Sequence, residues 1–304
     1  MRFRKLQDHS NTTCIVAELD GQWHSLDHSL DLLHLLDKSK AEIAELVQTT
    51  AQASQLQDII PFRPTAYRDF MLYEKHAIDA ARGFVKKYMP HLFPLVSAWE
   101  RMIGPPFPKL KPHKRFYQHP IYYLGNHLNV YSEGDRISIP SYTKELDYEL
   151  ELGAVITKPL KNASIEEVED AIGGFVILND FSARDVQLDE MRSGFGPMKT
   201  KNFGSAISAV ITSKNALIDK LDQLSVEVII NGQSIVSTDT KGKRYSFQEA
   251  IAYASWEEQL HPGELFGSGT IPGCTGIENG IMLQAGDNIR LEVEGIGSLS
   301  NTIG

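Results

Sequence analysis

From about residue 120 onward, the chain consists of short β-type runs separated by turn residues. Seven such runs alternate with Gly, Asn and Pro turns: IYYLGN, DRISIP, YELELGAVI, GFVILND, AISAVIT, VEVIING and NIRLEVEGIG. Two helical segments interrupt them, SIEEVEDAI and SFQEAIAYASWEE, and each opens on a capping box, Ser164 with Glu167 and Ser246 with Glu249. Many strands with few helices do not make parallel βαβ units, so the pattern predicts an α+β or mainly-β domain.

The first part of the chain has a different pattern. Strand-like runs occupy residues 1–24, and leucines at helical spacing then predict a helical stretch over 26–58. Pro61 and Pro64 punctuate the chain, which predicts a small N-terminal domain of strands and helices over 1–63 and a larger domain over 64–304.

Within the larger domain, a further helix is predicted over 70–88. The basic, Pro-rich segment around 104–114 is predicted to be a loop.

Composition excludes several classes of protein. The net charge is -9 over 304 residues, and the absence of a long basic block argues against nucleic acid as a partner. Apolar runs such as VEVII are too short to cross a bilayer, and no apolar segment follows MRFRK as a signal peptide requires. The only cysteines, Cys14 and Cys274, have no zinc-site spacing and cannot form a disulfide framework. We therefore expect a soluble cytoplasmic protein.

The run LDYELELGAVI, residues 146–156, places carboxylates at every second position. On a strand, Asp147, Glu149 and Glu151 would share one face, and the simplest interpretation is a face that meets water. The apolar run GFVILND, however, ends on Asp180. If this carboxylate converged with Glu149 and Glu151, each would raise the pKa of the others unless a cation lay between them. Carboxylates without His or Cys suit a hard ion such as Mg²⁺, Ca²⁺ or Mn²⁺.

Several longer motifs occur together in this chain. They are, in this order, ELDYELELGAVI, GGFVILNDFSARDVQ, KTKNFGSA and GSGTIPGC, followed by GD and LEVEGIGSLSN. Through these motifs, the chain resembles the fumarylacetoacetate hydrolase family over roughly residues 67–304. The resemblance implies a mixed β-sandwich roll as the catalytic domain, a small N-terminal domain and a divalent metal ion. It also implies a homodimer. Mg²⁺ is expected first, with Ca²⁺ or Mn²⁺ as alternatives.

The resemblance also implies the metal ligands and the catalytic base. The implied ligands are Asp69, Glu149, Glu151 and Asp180. In RDFMLYEKHA, His76 follows Asp69 by seven positions, as the family's catalytic His follows its metal Asp. On one helix, two turns would separate the two residues by about 10 Å, which leaves space for a substrate.

The partner of His76 depends on how the late Gly-rich segment is aligned. Aligned on GIEN, the partner is Glu278; counted from Thr270, the position falls on Gln284 instead. We prefer Glu278, because a carboxylate holds the imidazole tautomer and stabilises its protonated form.

Further site residues follow from the same resemblance. Lys201 and Gln187 are implied as catalytic residues near the reacting carbonyl, and Tyr123, Thr270 and Arg184 are implied as substrate-binding residues. The chain also departs from the animal fumarylacetoacetate enzyme. Met71 and Met191 stand where that enzyme has substrate-contacting tyrosines, and Arg82 is offset from the position of its arginine.

The implied activity is hydrolysis of a carbon–carbon bond in a 1,3-diketo acid, such as a fumarylacetoacetate-like or acylpyruvate-like substrate of aromatic compound catabolism. His76 would activate the attacking water, and the metal would orient the substrate. Two alternatives stay open. One is a 2-oxo acid decarboxylase, hydratase or isomerase on the same fold, and the other is a non-catalytic protein that binds a metal or a small molecule.

Overall fold

The computed structural model describes residues 1–27, 30–50 and 56–304. Within these ranges the strands are β1 (Arg2–Gln7), β2 (Thr13–Leu19), β3 (Gln22–Leu26), β4 (Val47–Thr50), β5 (Gln57–Ile59), β6 (Tyr67–Phe70), β7 (Tyr122–Gly125), β8 (Val130–Tyr131), β9 (Arg136–Ile137), β10 (Leu146–Asp147), β11 (Leu150–Ile156), β12 (Ile172–Asn179), β13 (Ser182–Ala183), β14 (Ser205–Ile207), β15 (Val210–Ser213), β16 (Ser225–Ile230), β17 (Gln233–Asp239), β18 (Leu265–Gly267), β19 (Asn288–Val293) and β20 (Gly297–Ile303).

The helices are shorter and lie mostly between strands. They are α1 (Leu32–Leu35), α2 (Lys40–Glu45), α3 (Glu74–Tyr88), α4 (Phe93–Ile103), α5 (Lys114–Gln118), α6 (Ile165–Ala171), α7 (Arg184–Arg192), α8 (Lys214–Leu217), α9 (Phe247–Ala254) and α10 (Gly276–Asn279), with 3₁₀ turns at Pro108–Leu110 and Ile218–Lys220. Both predicted capping boxes are present, at the starts of α6 and α9. No helix in these ranges is both long and apolar enough to cross a membrane.

Two large sheets and one small one organise the strands. The largest has thirteen strands in the order β4-β3-β2-β1-β15-β12-β11-β18-β6-β7, with β5 paired to β1 and β14 paired to both β12 and β8. A five-stranded sheet has the order β17-β16-β19-β20-β9, and β10 pairs with β13. Most pairs are antiparallel, but β18–β6, β14–β8 and β20–β9 are parallel. The mixed sheets confirm the predicted α+β class.

The N-terminal strands continue the main sheet. Strand β1 pairs with β15, so that Phe3 lies opposite Ile211, and Phe3 shares an apolar cluster with Val155 and Val176. The division of the chain at residue 63 stays a prediction.

The predicted helical stretch over 26–58 is wrong in part. It contains α1 and α2, and then the strands β4 and β5. Strand β4 pairs with β3, which shows that pairing with a neighbouring strand outweighs the local helical pattern in VQTT. Positions 28–29 and 51–55 of that stretch lie outside the described residues.

The predicted helix over 70–88 is present, but it begins four residues later than predicted. Asp69 lies on β6, between β18 and β7, and α3 begins only at Glu74. Asp69 and His76 therefore do not share one helix face. All four residues of β6 are buried, and β6 pairs with β18 on one side and with β7 on the other. A helix at this point would leave the facing backbone groups of β18 and β7 without partners.

Strand β11 is buried on both faces. Leu150, Leu152 and Ala154 belong to one apolar cluster, and the alternate Val155 belongs to the other. Glu151 is therefore enclosed, with 0% of its surface exposed, and the interpretation of a water-facing acidic strand is wrong.

Candidate metal and catalytic site

Three of the predicted metal ligands converge at one end of the main sheet. One carboxylate oxygen from each of Asp69, Glu151 and Asp180 lies within 4.8 Å of the other two, and all three residues are buried. Asp69 lies on β6, Glu151 on β11, and Asp180 directly follows β12. In the sheet order β12-β11-β18-β6 these strands are close neighbours, so the sheet itself gathers carboxylates that are far apart in sequence.

A glycine makes this convergence possible. Strand β18 separates β6 from β11, and its Gly267 lies opposite Asp69 on one side and Gly153 on the other. A Cβ atom on Gly267 would lie 2.3 Å from Asp69 Oδ1 and 2.8 Å from Glu151 Oε2. Any side chain at this position would occupy the space in which the two carboxylates approach each other.

The carboxylate cluster has the properties of a site for a hard divalent cation. Asp69 Oδ1 and Glu151 Oε1 are buried and have no hydrogen-bond partner among the described residues. Burial and the charge of Asp180 raise the pKa of Asp69 well above its usual value, and burial with Asp69 and Asp180 does the same for the pKa of Glu151. Buried carboxylates that repel one another favour either a shared proton or a cation between them. The three residues therefore fit Mg²⁺, Mn²⁺ or Ca²⁺ by charge and donor type.

Glu149 faces basic side chains instead. Its Oε2 accepts a hydrogen bond from Lys201 Nζ at 2.5 Å, and its Oε1 accepts one from Arg184 Nη2. Burial alone would raise the pKa of Glu149, but Lys201 and Arg184 outweigh it and lower this pKa below its usual range. Lys201 also donates to Asp180 Oδ2, so its ammonium group links Glu149 to the carboxylate cluster. The role of Glu149 as a metal ligand stays a prediction.

His76 and Glu278 form a buried pair. His76 Nδ1 lies 2.5 Å from Glu278 Oε1, and Glu278 Oε2 accepts a hydrogen bond from the Gly273 amide at 2.7 Å. A proton on His76 would lower the pKa of Glu149, so the pair lies within electrostatic range of that carboxylate. Gln284, the alternative partner, is exposed, and its backbone N–H donates to Asp287 Oδ2. The geometry therefore favours the alignment on GIEN.

The helix that carries His76 packs closely on the helix that carries Glu278. A Cβ atom on Gly83 of α3 would lie 2.2 Å from the carbonyl oxygen of Ile277 in α10. Glu278 follows Ile277 directly, so this contact sets the distance between the two helices that the pair requires.

Arg184 and Gln187 lie on α7, next to Glu149. Arg184 Nη1 donates to Gln187 Oε1 at 2.8 Å, and its other donors reach Asp147, Glu149 and Thr275. With four protein partners and 2% of its surface exposed, Arg184 is held by the protein itself. Its role in binding a substrate stays a prediction.

Of the two remaining predicted residues, Tyr123 contacts the cluster directly. Tyr123 donates its hydroxyl hydrogen to Asp180 Oδ2 at 2.7 Å. Thr270 is buried, and its Oγ1 has no hydrogen-bond partner within the described ranges. Two further residues of the cluster are not among the predicted ones: Ser205, which donates to Asp180 Oδ1 at 3.2 Å, and Gly267. No local pattern distinguishes Ser205 from other serines, whereas Gly267 lies inside the quoted motif GSGT.

Two of the residues that depart from the animal enzyme have no contact with the three clustered carboxylates among the described interactions. Arg82 pairs with Glu100 and Asp79, and Met191 is exposed.

Comparison with known sequences places the chain in one family. The family described as "Fumarylacetoacetate (FAA) hydrolase C-terminal" matches residues 107–304, more than half of the chain. Among curated relatives, "Oxaloacetate tautomerase fahd2, mitochondrial" of Xenopus laevis is 30% identical over 176 residues, covering 58% of this chain and 55% of that protein. "Oxaloacetate tautomerase YisK" of Bacillus subtilis is 31% identical over 189 residues, covering 62% of each. The chain thus spans little more than half the length of the first of these relatives.

Solved structures show the same fold over the whole chain. "Fumarylacetoacetate hydrolase (EaFAH)" from Exiguobacterium antarcticum covers 100% of this chain and 99% of its own, with a TM-score of 0.74 and 19% identity. A "5-carboxymethyl-2-hydroxymuconate delta-isomerase" from Mycobacterium smegmatis covers 100% and 98%, with a TM-score of 0.69 and 18% identity. These similarities extend through β6 and α3, which precede the matched sequence region and carry Asp69 and His76. The chain belongs to the fumarylacetoacetate hydrolase family of enzymes.

Proposed function

We propose that the protein is a metal-dependent enzyme that uses His76 as a general base on a small, enolisable 2-oxo acid. The observation that carries this proposal is a buried histidine–carboxylate pair next to a buried cluster of three carboxylates. A pair of this kind suits proton transfer, and the cluster suits a divalent cation that binds oxygen atoms. Together they match a substrate that has two carbonyl oxygens and a transferable proton.

The direction of the His76–Glu278 hydrogen bond assigns the base. An ionised carboxylate can only accept, so Nδ1 carries the hydrogen that Glu278 holds, and Nε2 is left with its lone pair. Glu278 would also stabilise the imidazolium that forms when Nε2 takes up a proton.

Asp69, Glu151 and Asp180 would hold the divalent ion, with Glu149 as the fourth proposed ligand. When bound, such an ion polarises substrate carbonyl oxygens and fixes their orientation.

Hydrolysis of a carbon–carbon bond is the reaction that we propose first. His76 Nε2 takes a proton from water while the water oxygen forms a bond to the distal carbonyl carbon of a 1,3-diketo acid. Lys201 and Gln187 would stabilise the negative charge that develops on that carbonyl oxygen. The carbon–carbon bond then breaks, its electron pair moves into the neighbouring carbonyl group as an enolate, and the proton on Nε2 returns to that fragment.

Keto–enol tautomerisation of oxaloacetate is the second candidate. It is favoured by the names of two relatives that are 30% and 31% identical to this chain. The same base would suffice, because His76 Nε2 can remove a proton from the carbon between the two carbonyl groups and return it to oxygen. No water attacks in this reaction, and no carbon–carbon bond breaks.

One assay separates the two reactions. The purified protein, loaded with Mg²⁺ or Mn²⁺, is incubated with acylpyruvates, fumarylacetoacetate and the enol form of oxaloacetate, and products are identified by NMR. Two acid products from a diketo acid, absent in His76→Ala, would support hydrolysis. Faster ketonisation of oxaloacetate without cleavage of any diketo acid would support tautomerisation, and release of carbon dioxide would indicate decarboxylation. Turnover of none of these substrates would contradict the proposal.

We also propose a homodimer in the cytoplasm, by analogy with the family. Sedimentation velocity would measure the oligomeric state, and a monomer at micromolar concentration would contradict the dimer.

A further inference from the structure

LDYELELGAVI contains a carboxylate besides Glu149 and Glu151, that of Asp147, and the proposed reaction gives it no role. It is fully buried, with 0% of its surface exposed. Its two oxygens accept hydrogen bonds from five donors: Arg184 Nε at 2.7 Å, Thr275 Oγ1 at 2.9 Å, and the backbone amides of Tyr148 at 2.7 Å, Gly276 at 2.6 Å and Ile277 at 3.0 Å. A carboxylate with this many donors has no free position for a metal ion or a substrate.

On one side, Asp147 fixes the segment that carries Glu278. The amides of Gly276 and Ile277 begin α10 and donate to the two oxygens of Asp147, and Glu278 is the next residue. A Cβ atom on Gly276 would lie 2.4 Å from Asp147 Oδ1, so the fit between the carboxylate and this helix start is close. The position of Glu278 relative to His76 therefore depends on Asp147.

On the other side, Asp147 fixes the guanidinium group that holds Glu149. Arg184 directs Nε to Asp147 and Nη2 to Glu149 and Thr275, while Thr275 donates its own hydrogen to Asp147. Pairing of β10 with β13 places Asp147 opposite Ser182, two residues before Arg184. Glu149 in turn accepts from Lys201, which contacts the carboxylate cluster through Asp180.

We propose that Asp147 is a positioning residue that couples the His76–Glu278 pair to the carboxylate cluster, through α10 in one direction and through Arg184 in the other. The catalytic meaning of this coupling rests on the proposed function. The coupling itself does not, because it is a property of the protein without substrate. Asp147→Asn removes the charge and leaves Arg184 with Glu149 as its one carboxylate partner. It also replaces one of the two acceptor oxygens by an NH₂ group, which cannot accept from the donors that face it. Both halves of the site should then shift.

Asp147→Asn tests the coupling, with Glu264→Gln as the matched control. Glu264 is also a buried carboxylate that pairs with an arginine, Arg68, and accepts a backbone amide, that of His261. Arg68 precedes Asp69 on β6, so its side chain points to the opposite face of the strand. Both variants lose one buried charge, and thermal unfolding would show whether their losses of stability are comparable.

The first readout is the downfield ¹H resonance of the His76 Nδ1 hydrogen in ¹⁵N-labelled, substrate-free protein, assigned by its disappearance in His76→Ala. We expect this resonance to be lost or broadened in Asp147→Asn and retained in Glu264→Gln. The second readout is the Mn²⁺ dissociation constant by isothermal titration. We expect it to rise about tenfold in Asp147→Asn, as is typical when a residue that supports metal ligands is changed, and to stay unchanged in Glu264→Gln.

The coupling is overturned if either readout is unchanged in Asp147→Asn, or if Glu264→Gln changes both equally. If Asp147→Asn does not fold, Thr275→Val gives a weaker form of the same test, because it removes one of the five donors to Asp147 together with an acceptor of Arg184 Nη2. Smaller changes in both readouts are then expected, and their absence overturns the proposal. Neither readout needs turnover, so failure of the proposed reaction would not be mistaken for failure of the coupling.

Discussion

At the scale of single residues, Glu149 and Glu151 show how two carboxylates of one short motif acquire opposite properties. Glu151 meets Asp69 and Asp180, and burial with these charges raises its pKa. Glu149 meets Lys201 and Arg184, which lower its pKa despite burial. Glu151 lies on β11, whereas Glu149 directly precedes the start of that strand at residue 150. Their different neighbours, contributed by distant parts of the chain, decide which charge each carries.

Glu151→Gln is expected to raise the Mn²⁺ dissociation constant at least tenfold, because the amide keeps the shape of the side chain but removes one of three clustered negative charges. Isothermal titration measures this effect. Asp170→Asn is the control, since Asp170 is exposed and pairs with Lys158 away from the cluster. An unchanged Mn²⁺ affinity in Glu151→Gln would exclude the cluster as the metal site.

Glu278→Gln is expected to lower kcat by about 10² to 10⁴, the usual contribution of a positioned general base and its partner. The amide cannot stabilise the protonated His76 as a carboxylate does. Steady-state kinetics should show the change in kcat at nearly constant Mn²⁺ affinity. The exposed Gln284→Ala should retain full activity, and equal losses in both variants would refute the assignment of Glu278.

At the scale of elements, the site depends on contacts between segments that glycines allow to approach closely. Gly267 on β18 leaves space for Asp69 and Glu151, and Gly83 on α3 leaves space for the carbonyl group of Ile277 on α10. A glycine normally weakens the interior of a helix, so its presence in α3 indicates a packing requirement.

Gly83→Ala should therefore destabilise the protein rather than stabilise it. Alanine gains about 0.5–1 kcal/mol over glycine inside an unhindered helix, but here its Cβ would lie 2.2 Å from a backbone oxygen. We expect a net loss of about 1–3 kcal/mol, the usual effect of overpacking, together with a lower kcat as α10 is displaced. Urea unfolding measures the first effect and kinetics the second. Lys75→Ala, at an exposed position of α3, is the control, and a stabilised, fully active Gly83→Ala would contradict the packing argument.

At the scale of the whole molecule, the buried carboxylates link stability to pH and to metal. Asp69 and Glu151 have raised pKa values in the folded protein, so their protonated forms are favoured there. The stability that these two groups contribute to the folded protein is fully present below their pKa values in the unfolded chain. It is lost as pH rises through their pKa values in the folded protein. Glu149 acts in the opposite sense, because its lowered pKa gives stability that is lost only in acid. A bound cation favours the ionised forms of Asp69 and Glu151 and offsets their repulsion.

The thermal midpoint of the metal-free protein should therefore decrease as pH rises from the usual carboxyl range through the raised pKa values of Asp69 and Glu151. Mn²⁺ should raise this midpoint most at the high-pH end of the measured range. Calorimetry in chelator and in Mn²⁺ measures both curves. In Glu151→Gln the dependence on pH and on Mn²⁺ should be weaker. A metal-free midpoint that rises with pH, or a Mn²⁺ effect that is greatest in acid, would contradict the linkage.

The sequence by itself determined the α+β class, both capped helices and the chemical type of the site. These follow from local features: short β-type runs, Ser-x-x-Glu caps, and motifs that keep their residue types together. It also indicated Glu278 over Gln284, because a carboxylate suits an imidazole partner. It failed at β6, where a helix was expected, since the buried pairing that makes Tyr67–Phe70 a strand comes from β18 and β7, both distant in the chain.

Only the tertiary structure decided which carboxylates meet. Asp69 and Glu151 approach because β18 lies between their strands and carries Gly267 at that point. Asp147 is saturated with donors because α10 and Arg184 close around it. Such contacts depend on sheet order and on the packing of helices, which bring together residues with no relation in sequence. Local propensity and spacing carry no information about them, and for that reason the donors around Asp147 and the basic partners of Glu149 were not predictable.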